Sequence, residues 1–260
     1  MKIAISGKGG VGKTTVSAML AAALACRGRK VIAVDADPDA NLASALGVPP
    51  GEPITPLCRM DELIAERTGS KSNYGGYFKL NPKVDDIPEN YARRLGENIR
   101  LLTLGGVARG GAGCICPASA LLKALLVHLI LTGDDALVMD MEAGIEHLGR
   151  ATAQSMDALI IVVNASPWSH QTAVRVRRLA GDIGLKRLFV VANCLSDPAD
   201  LGAIRGRLDG IELIGRIPFD RRLEAGVARS EGPDHFELTE AMREHLPLLD
   251  GILASLQSRI

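Results

Sequence analysis

Apolar runs bounded by turn residues recur at 2–6, 30–35, 99–104, 136–141, 158–164, 187–193 and 212–217, with helical patterns between most of them. This alternation, without hairpin signals, predicts a doubly wound α/β fold. Its mostly parallel sheet would have seven or eight strands flanked by helices, with ligands outside the carboxyl ends of the strands. The first helix is predicted from Thr14 to about Arg27, rich in Ala and Leu and stopped at Gly28. A C-terminal helix, about Leu238 to Ser258, carries Leu246, Leu249, Leu253 and Leu256 at helical spacing. Its other face has Glu244, Asp250 and few positive charges, so it is expected to pack on the domain and not to anchor a membrane. Between about 49 and 98 the pattern degrades into Pro, Gly and polar residues, with one short helical candidate near 60–67. An exposed, irregular insertion is expected there, in a single domain spanning 1–260, with Tyr74, Tyr77 and Phe78 packing locally as anchors of the loop.

Composition sharpens this picture. Hydrophobic residues make up 47% of the 260 residues and aromatics only 3%, so the interior must be built from Val, Ile, Leu and Ala, which suits buried parallel strands. Thirty basic residues balance thirty acidic ones, and the formal charge of zero gives no overall field for binding nucleic acid or an anionic membrane. Strand one begins at once, without a basic leader and a long apolar stretch, and a cytoplasmic location is expected. The five cysteines are odd in number and scattered, which argues against a disulfide framework. Cys26, Cys58 and Cys194 are expected to be small buried hydrophobes.

The first strand runs into Gly7-Lys8-Gly9-Gly10-Val11-Gly12-Lys13-Thr14-Thr15. This is a phosphate cradle: backbone N–H groups from Gly9 through Thr15 and a helix N-terminus point at an anion. Lys13 reaches the β- and γ-phosphates and Thr14 can hold Mg²⁺. Gly7, Gly9 and Gly12 also satisfy Gly-x-Gly-x-x-Gly, with Asp35 roughly 20 residues on, a dinucleotide-binding arrangement. Lys13-Thr14-Thr15 weighs against that reading, because a dinucleotide site has no use for it. Lys8 is surplus to an ordinary cradle; a lysine there can neutralise the phosphates of a nucleotide held by a second subunit, as an arginine finger does.

Asp35, Asp37 and Asp39 follow the second strand. With Pro38 fixing the backbone behind it, Asp37 is the residue expected to order the attacking water, with Asp39 solvated and Asn41 capping the next helix. Asp140 ends the strand 136–140 and is expected to contact Mg²⁺ directly or through water; Asp37 is a second candidate for that ion. Residues 140–150, which include Glu142, Glu146 and His147, read as a γ-phosphate-sensitive switch, with His147 more often solvated than a ligand. Asn193-Cys-Leu-Ser-Asp197 lacks the Asn-Lys-x-Asp pattern of guanine-binding loops, which favours ATP. Asn193 would then meet the adenine edge, and Pro218, Phe219 and Asp220 would wall the base.

Taken together, the cradle with Lys8, the Asp37 turn, the Asp140 switch and the Asn193 loop resemble the deviant Walker A ATPases over nearly the whole chain. That family includes septum-placing and partition ATPases of the MinD and ParA kind and the iron protein of nitrogenase. The resemblance implies a nucleotide-sandwich homodimer in which Lys8 crosses to the partner's nucleotide, with ATP/ADP and Mg²⁺ as ligands.

Within the family, the distinctive stretch is Gly105 to Pro117, five glycines preceding Cys114-Ile-Cys116. Consecutive residues span at most about 3.6 Å, so the two cysteine Cα atoms lie within roughly 7 Å and both sulfurs can reach one metal. Cys116 directly precedes Pro117, a favoured first helical residue, where a thiolate gains from the helix dipole. Two mobile thiols without a ligand, or a reversible disulfide, are the plainer alternatives. Two copies across a dimer axis would give four sulfur ligands for Zn²⁺ or Ni²⁺. This placement, with Met139 to His147, is similar to the CooC type of nickel-insertion accessory ATPase. It implies carbon monoxide dehydrogenase as client, and neither nucleic acid nor a membrane as partner. A partition-like switch without a metal role is the competing reading.

Overall fold

The computed structural model describes residues 1–52, 54–70, 77–105, 116–132, 135–145, 150–197, 200–231 and 234–260. In chain order the first half contains β1 (Lys2–Gly7), α1 (Lys13–Cys26), β2 (Val31–Asp35), α2 (Leu42–Ala45), α3 (Asp61–Thr68), α4 (Ile87–Asn90), β3 (Arg93–Leu95) and β4 (Ile99–Thr103). The second half contains α5 (Pro117–Thr132), β5 (Ala136–Asp140), α6 (Arg150–Ser155), β6 (Ala158–Val163), α7 (Pro167–Asp182), β7 (Leu188–Leu195), α8 (Asp200–Arg207), β8 (Glu212–Pro218), β9 (Ala228–Ser230), β10 (Phe236–Leu238) and α9 (Glu240–Gln257).

Eight strands form one sheet in the order β3-β4-β2-β5-β1-β6-β7-β8, parallel throughout except for β3. The expected doubly wound architecture is therefore present. β1 lies between β5 and β6, where the chain switches from building one half of the sheet to the other, the point at which such sheets bind ligands. Side chains alternate strictly between two cores. Ile3, Ile5, Ala158, Ile160 and Val162 join α1 and α9 on one face; Ala4, Leu159, Ile161 and Val163 join α5 and α7 on the other. Strands buried on both faces lose the polar alternation of half-exposed strands, so they read as continuous apolar runs. α9 packs as expected, with Leu249, Leu253 and Leu256 buried. No helix among the described residues is long and apolar enough to cross a membrane.

The structure corrects several expectations. Segment 49–98 is not merely an exposed insertion: Leu57, Ile64, Ile87 and Leu95 are buried in the two cores, and Arg67 clamps Asp86 with two bonds of 2.9 and 2.7 Å. Its elements are too short to show a period, so their apolar residues look scattered. Tyr77, in contrast, is fully exposed and anchors nothing; Tyr74 lies outside the described residues. Two antiparallel pairings, β3 with β4 and β9 with β10, escape the hairpin signals because each short strand has three residues. Cys26 and Cys194 are exposed, not buried. Cys26 is the last residue of α1, and Cys194, near the end of β7, has a left-handed backbone conformation (φ 55°) where the β7–β8 register is irregular.

Candidate functional site

At the carboxyl edge of the sheet the turn after β1 is shaped by two glycines for which no side chain would fit. A Cβ on Gly7 would lie 2.5 Å from the Val162 carbonyl oxygen, and one on Gly12 (φ 83°) would lie 2.3 Å from Asn193 Nδ2. The loop is thus pressed against β6 and β7, with Gly9 and Gly10 left exposed at its tip and Val11 buried beneath. Asn193 ties it down: its Nδ2 donates to the Val11 carbonyl at 2.9 Å, and the residue is 3% exposed. Lys13 starts α1 and is largely buried, while Thr14 and Thr15 are half-buried beside it.

Two carboxylates converge behind this loop because β2 and β5 pair in register, Asp35 opposite Asp140. Asp140 is fully buried. Its Oδ1 lies 3.0 Å from Ser17 Oγ, whose one hydrogen is shared with the Lys13 carbonyl oxygen at 2.9 Å. Burial pushes its pKa up to about 6, opposed by the Thr14 and Ser17 hydroxyls and the Lys13 ammonium. The other oxygen, Oδ2, is buried without a hydrogen-bond partner among the described residues. An orphaned carboxylate oxygen close to a threonine hydroxyl and a loop of N–H groups fits a hydrated Mg²⁺. That ion usually keeps several waters and takes only one or two carboxylates plus phosphate oxygens. Among the described residues no group of three or more His, Cys, Asp or Glu converges to hold a metal by side chains alone.

Asp35 is the functional residue that pattern reading missed. Its Oδ2 accepts from Leu42 N at 2.8 Å and its Oδ1 from Asp37 N at 3.2 Å, folding residues 35–42 into a fixed turn that presents Asp37, half-buried. Asn41 stands at the start of α2 without a capping bond from its side chain. Asp35 takes over part of that role by bonding Leu42 N. Burial raises the Asp35 pKa to about 7 despite these bonds, with Asp140 and Asp37 adding repulsion. The signal available in the sequence was its strand-end position opposite a second acid.

Lys8 is exposed, with its Nζ 5.6 Å from the ring centroid of Trp168, in the first turn of α7. That is within cation–π range, and the partner was not anticipated. After β8, Phe219 is 53% exposed, as a surface for a flat ring would be. Asp220 turns its carboxylate to Arg222 Nη2 at 2.8 Å and accepts from Arg222 N at 2.9 Å. These Arg222 bonds hold its pKa down to about 2, so the residue pins the Phe219 turn. Downstream of Asp140, Ser6 Oγ lies 3.1 Å from the Glu142 carbonyl oxygen and 3.0 Å from that of Gly144, tying the segment after β5 to β1. Glu146, His147 and Cys114 lie outside the described residues. Cys116 is half-buried, and its Sγ accepts from Ser119 N at 3.4 Å at the start of α5.

A glycine loop opening α1 at the switch point of a parallel sheet, with a buried lysine and strand-end carboxylates behind it, defines a phosphate-loop ATPase. The chain belongs to the CobQ/CobB/MinD/ParA nucleotide-binding domain family, whose model matches residues 2–233. Over the full chain it is 44% identical to the carbon monoxide dehydrogenase accessory protein CooC of Rhodospirillum rubrum, covering 97% of that protein. It is 46% identical to an uncharacterized ATP-binding protein of Methanocaldococcus jannaschii across 86% of this chain and 87% of that one. The septum site-determining protein MinD complexed with Mg-ADP from Pyrococcus horikoshii shares the fold, with a TM-score of 0.62 at 24% identity, covering 98% of this chain and 94% of that one.

Proposed function

We propose that this ATPase matures carbon monoxide dehydrogenase by carrying Ni²⁺ (or Zn²⁺) between two copies of the chain and releasing it in step with ATP hydrolysis. The observation that carries the reading is the end-to-end similarity to an accessory protein of that enzyme. The Cys-x-Cys at 114 and 116, with Cys116 at the N-terminus of α5, supports the metal role. Nucleotide phosphates sit on Gly9, Gly10, Val11, Gly12, Lys13, Thr14 and Thr15. Phe219 stacks on the base, and Asn193 meets its edge through Oδ1, since Nδ2 is held by the loop. Mg²⁺, if bound here, would neutralise phosphate charge. Thr14 and Asp140 hold its shell, Asp37 orients the attacking water, and Lys8 leaves Trp168 to reach the nucleotide of the partner chain.

Anaerobic titration of the reduced protein with Ni²⁺, following sulfur-to-nickel charge-transfer absorption and mass per particle together, tests the cargo. The expected result is one metal per two chains, abolished in Cys114→Ser/Cys116→Ser. A double-serine variant that still dimerises with ATP and still activates the client in nickel-limited cells would leave the partition-like switch as the better reading.

A further inference from the structure

Away from the nucleotide site, α7 and the end of α8 enclose a groove of about 620 Å³, lined in part by His170, Val174, Arg175, Arg178, Leu179 and Arg207. Val174 and Leu179 give it apolar surface, and the three arginines give it positive charge. Arg177, on the same helix, is paired with Asp209 at 2.9 Å. Among the described residues no carboxylate pairs with Arg175, Arg178 or Arg207, although the chain as a whole is charge-neutral. Uncompensated cations gathered on one groove repel each other and favour an anionic occupant.

His170 also lines the groove. It is 3% exposed, and its Nε2 lies 2.9 Å from the Asn164 carbonyl oxygen. A carbonyl only accepts, so Nε2 carries the hydrogen and Nδ1 is left as an acceptor. Nδ1 is buried without a hydrogen-bond partner among the described residues. Burial, and Arg207 nearby, hold the imidazole below its ordinary pKa, which keeps Nδ1 an acceptor near neutrality. An occupant that matches the groove would therefore bring carboxylates to the arginines and an apolar group to Val174 and Leu179 within one short span. A polypeptide segment with Asp or Glu beside Leu or a similar residue offers both.

We infer that the α7–α8 groove docks an acidic, apolar-bearing segment of a partner protein. The inference goes beyond the metal-delivery reading and stands whether or not the chain carries nickel. Docking there and the parking of Lys8 on Trp168 share one helix, α7.

The test uses the metal-free, full-length protein and a fluorescein-labelled synthetic peptide of about twelve residues, Glu-rich with Leu at helical spacing. Fluorescence anisotropy is expected to saturate at micromolar protein, roughly −8 kcal/mol. The same peptide with Lys for Glu should not bind. Arg175→Glu/Arg178→Glu, at two exposed helix positions, should weaken binding by about tenfold or more, whereas Arg177→Glu changes it by less than about twofold. Basal ATP hydrolysis is expected to be unchanged in both variants, which checks that they fold. Equal affinity for both peptides, or wild-type affinity in the double variant, overturns the inference. So does full displacement by millimolar 4-hydroxybenzoate, which would make the groove a small organic-anion site.

Discussion

Asp35 and Asp140 end neighbouring strands as a register pair, both fully buried and both with raised pKa values, yet they are spent differently. Asp35 gives both oxygens to backbone N–H groups and so builds the turn that carries Asp37. Asp140 gives one oxygen to Ser17 and keeps the other without a hydrogen-bond partner among the described residues, close to the loop where phosphate and cation would lie. A buried carboxylate with an unused oxygen costs stability, and such a cost is expected where a group is reserved for a ligand. The first acid therefore shapes the turn, and the second is the one we propose to serve the cation.

Replacing each acid separates the two. Asp140→Asn should lower ATP hydrolysis by about 100-fold or more, measured by phosphate release, while leaving stability unchanged or higher because a buried charge is removed. A variant with near wild-type turnover would mean that Asp140 is structural like its neighbour. Asp35→Ala should do the reverse. It leaves the Leu42 and Asp37 N–H groups without acceptors and should cost about 1–3 kcal/mol in urea unfolding, with a smaller loss of turnover through a loosened Asp37. Unchanged stability would remove Asp35 from its role in the turn.

The pH dependence sharpens the same contrast. For both acids the folded pKa, about 7 for Asp35 and about 6 for Asp140, lies above the unfolded value of 3.8. Their contribution to stability is present in full below 3.8 and is lost as pH rises through 6 and 7, so the nucleotide-free protein should melt lower at pH 8 than at pH 5. A cation beside Asp140 needs its ionised form. Calorimetry should therefore find Mg-ADP affinity falling by about tenfold for each unit below pH 6, with a proton released on binding. The Asp140→Asn variant should lose that dependence, whereas Asp35→Ala should keep it.

Much of this arrangement was legible in the sequence. The strands β1, β2, β5 and β6 announce themselves because burial on both faces confines their polar residues to the strand ends, and the loop from Gly7 to Thr15 follows the first of these. The acid at the end of β5 was readable for the same reason. The supporting residues were not. Ser17 is four residues from Lys13 on the helix, and nothing in its neighbours marks it as the donor to a carboxylate on a strand 123 residues away. Asp35 was overshadowed by Asp37, since only the β2–β5 register reveals which aspartate points inward. β3, with the sequence Arg-Arg-Leu, has no apolar alternation to detect and owes its strand to the neighbouring β4. Trp168 reads as an exposed ring in a helix start until Lys8 is seen above it.

That pairing has an optical consequence. The chain has one tryptophan, and its indole lies under the ammonium of the lysine assigned to leave during the ATP cycle. No second indole contributes background emission. The protein thus carries its own reporter: if Lys8 leaves Trp168 as proposed, stopped-flow emission of the unlabelled molecule will time that departure, to be set against phosphate release followed separately.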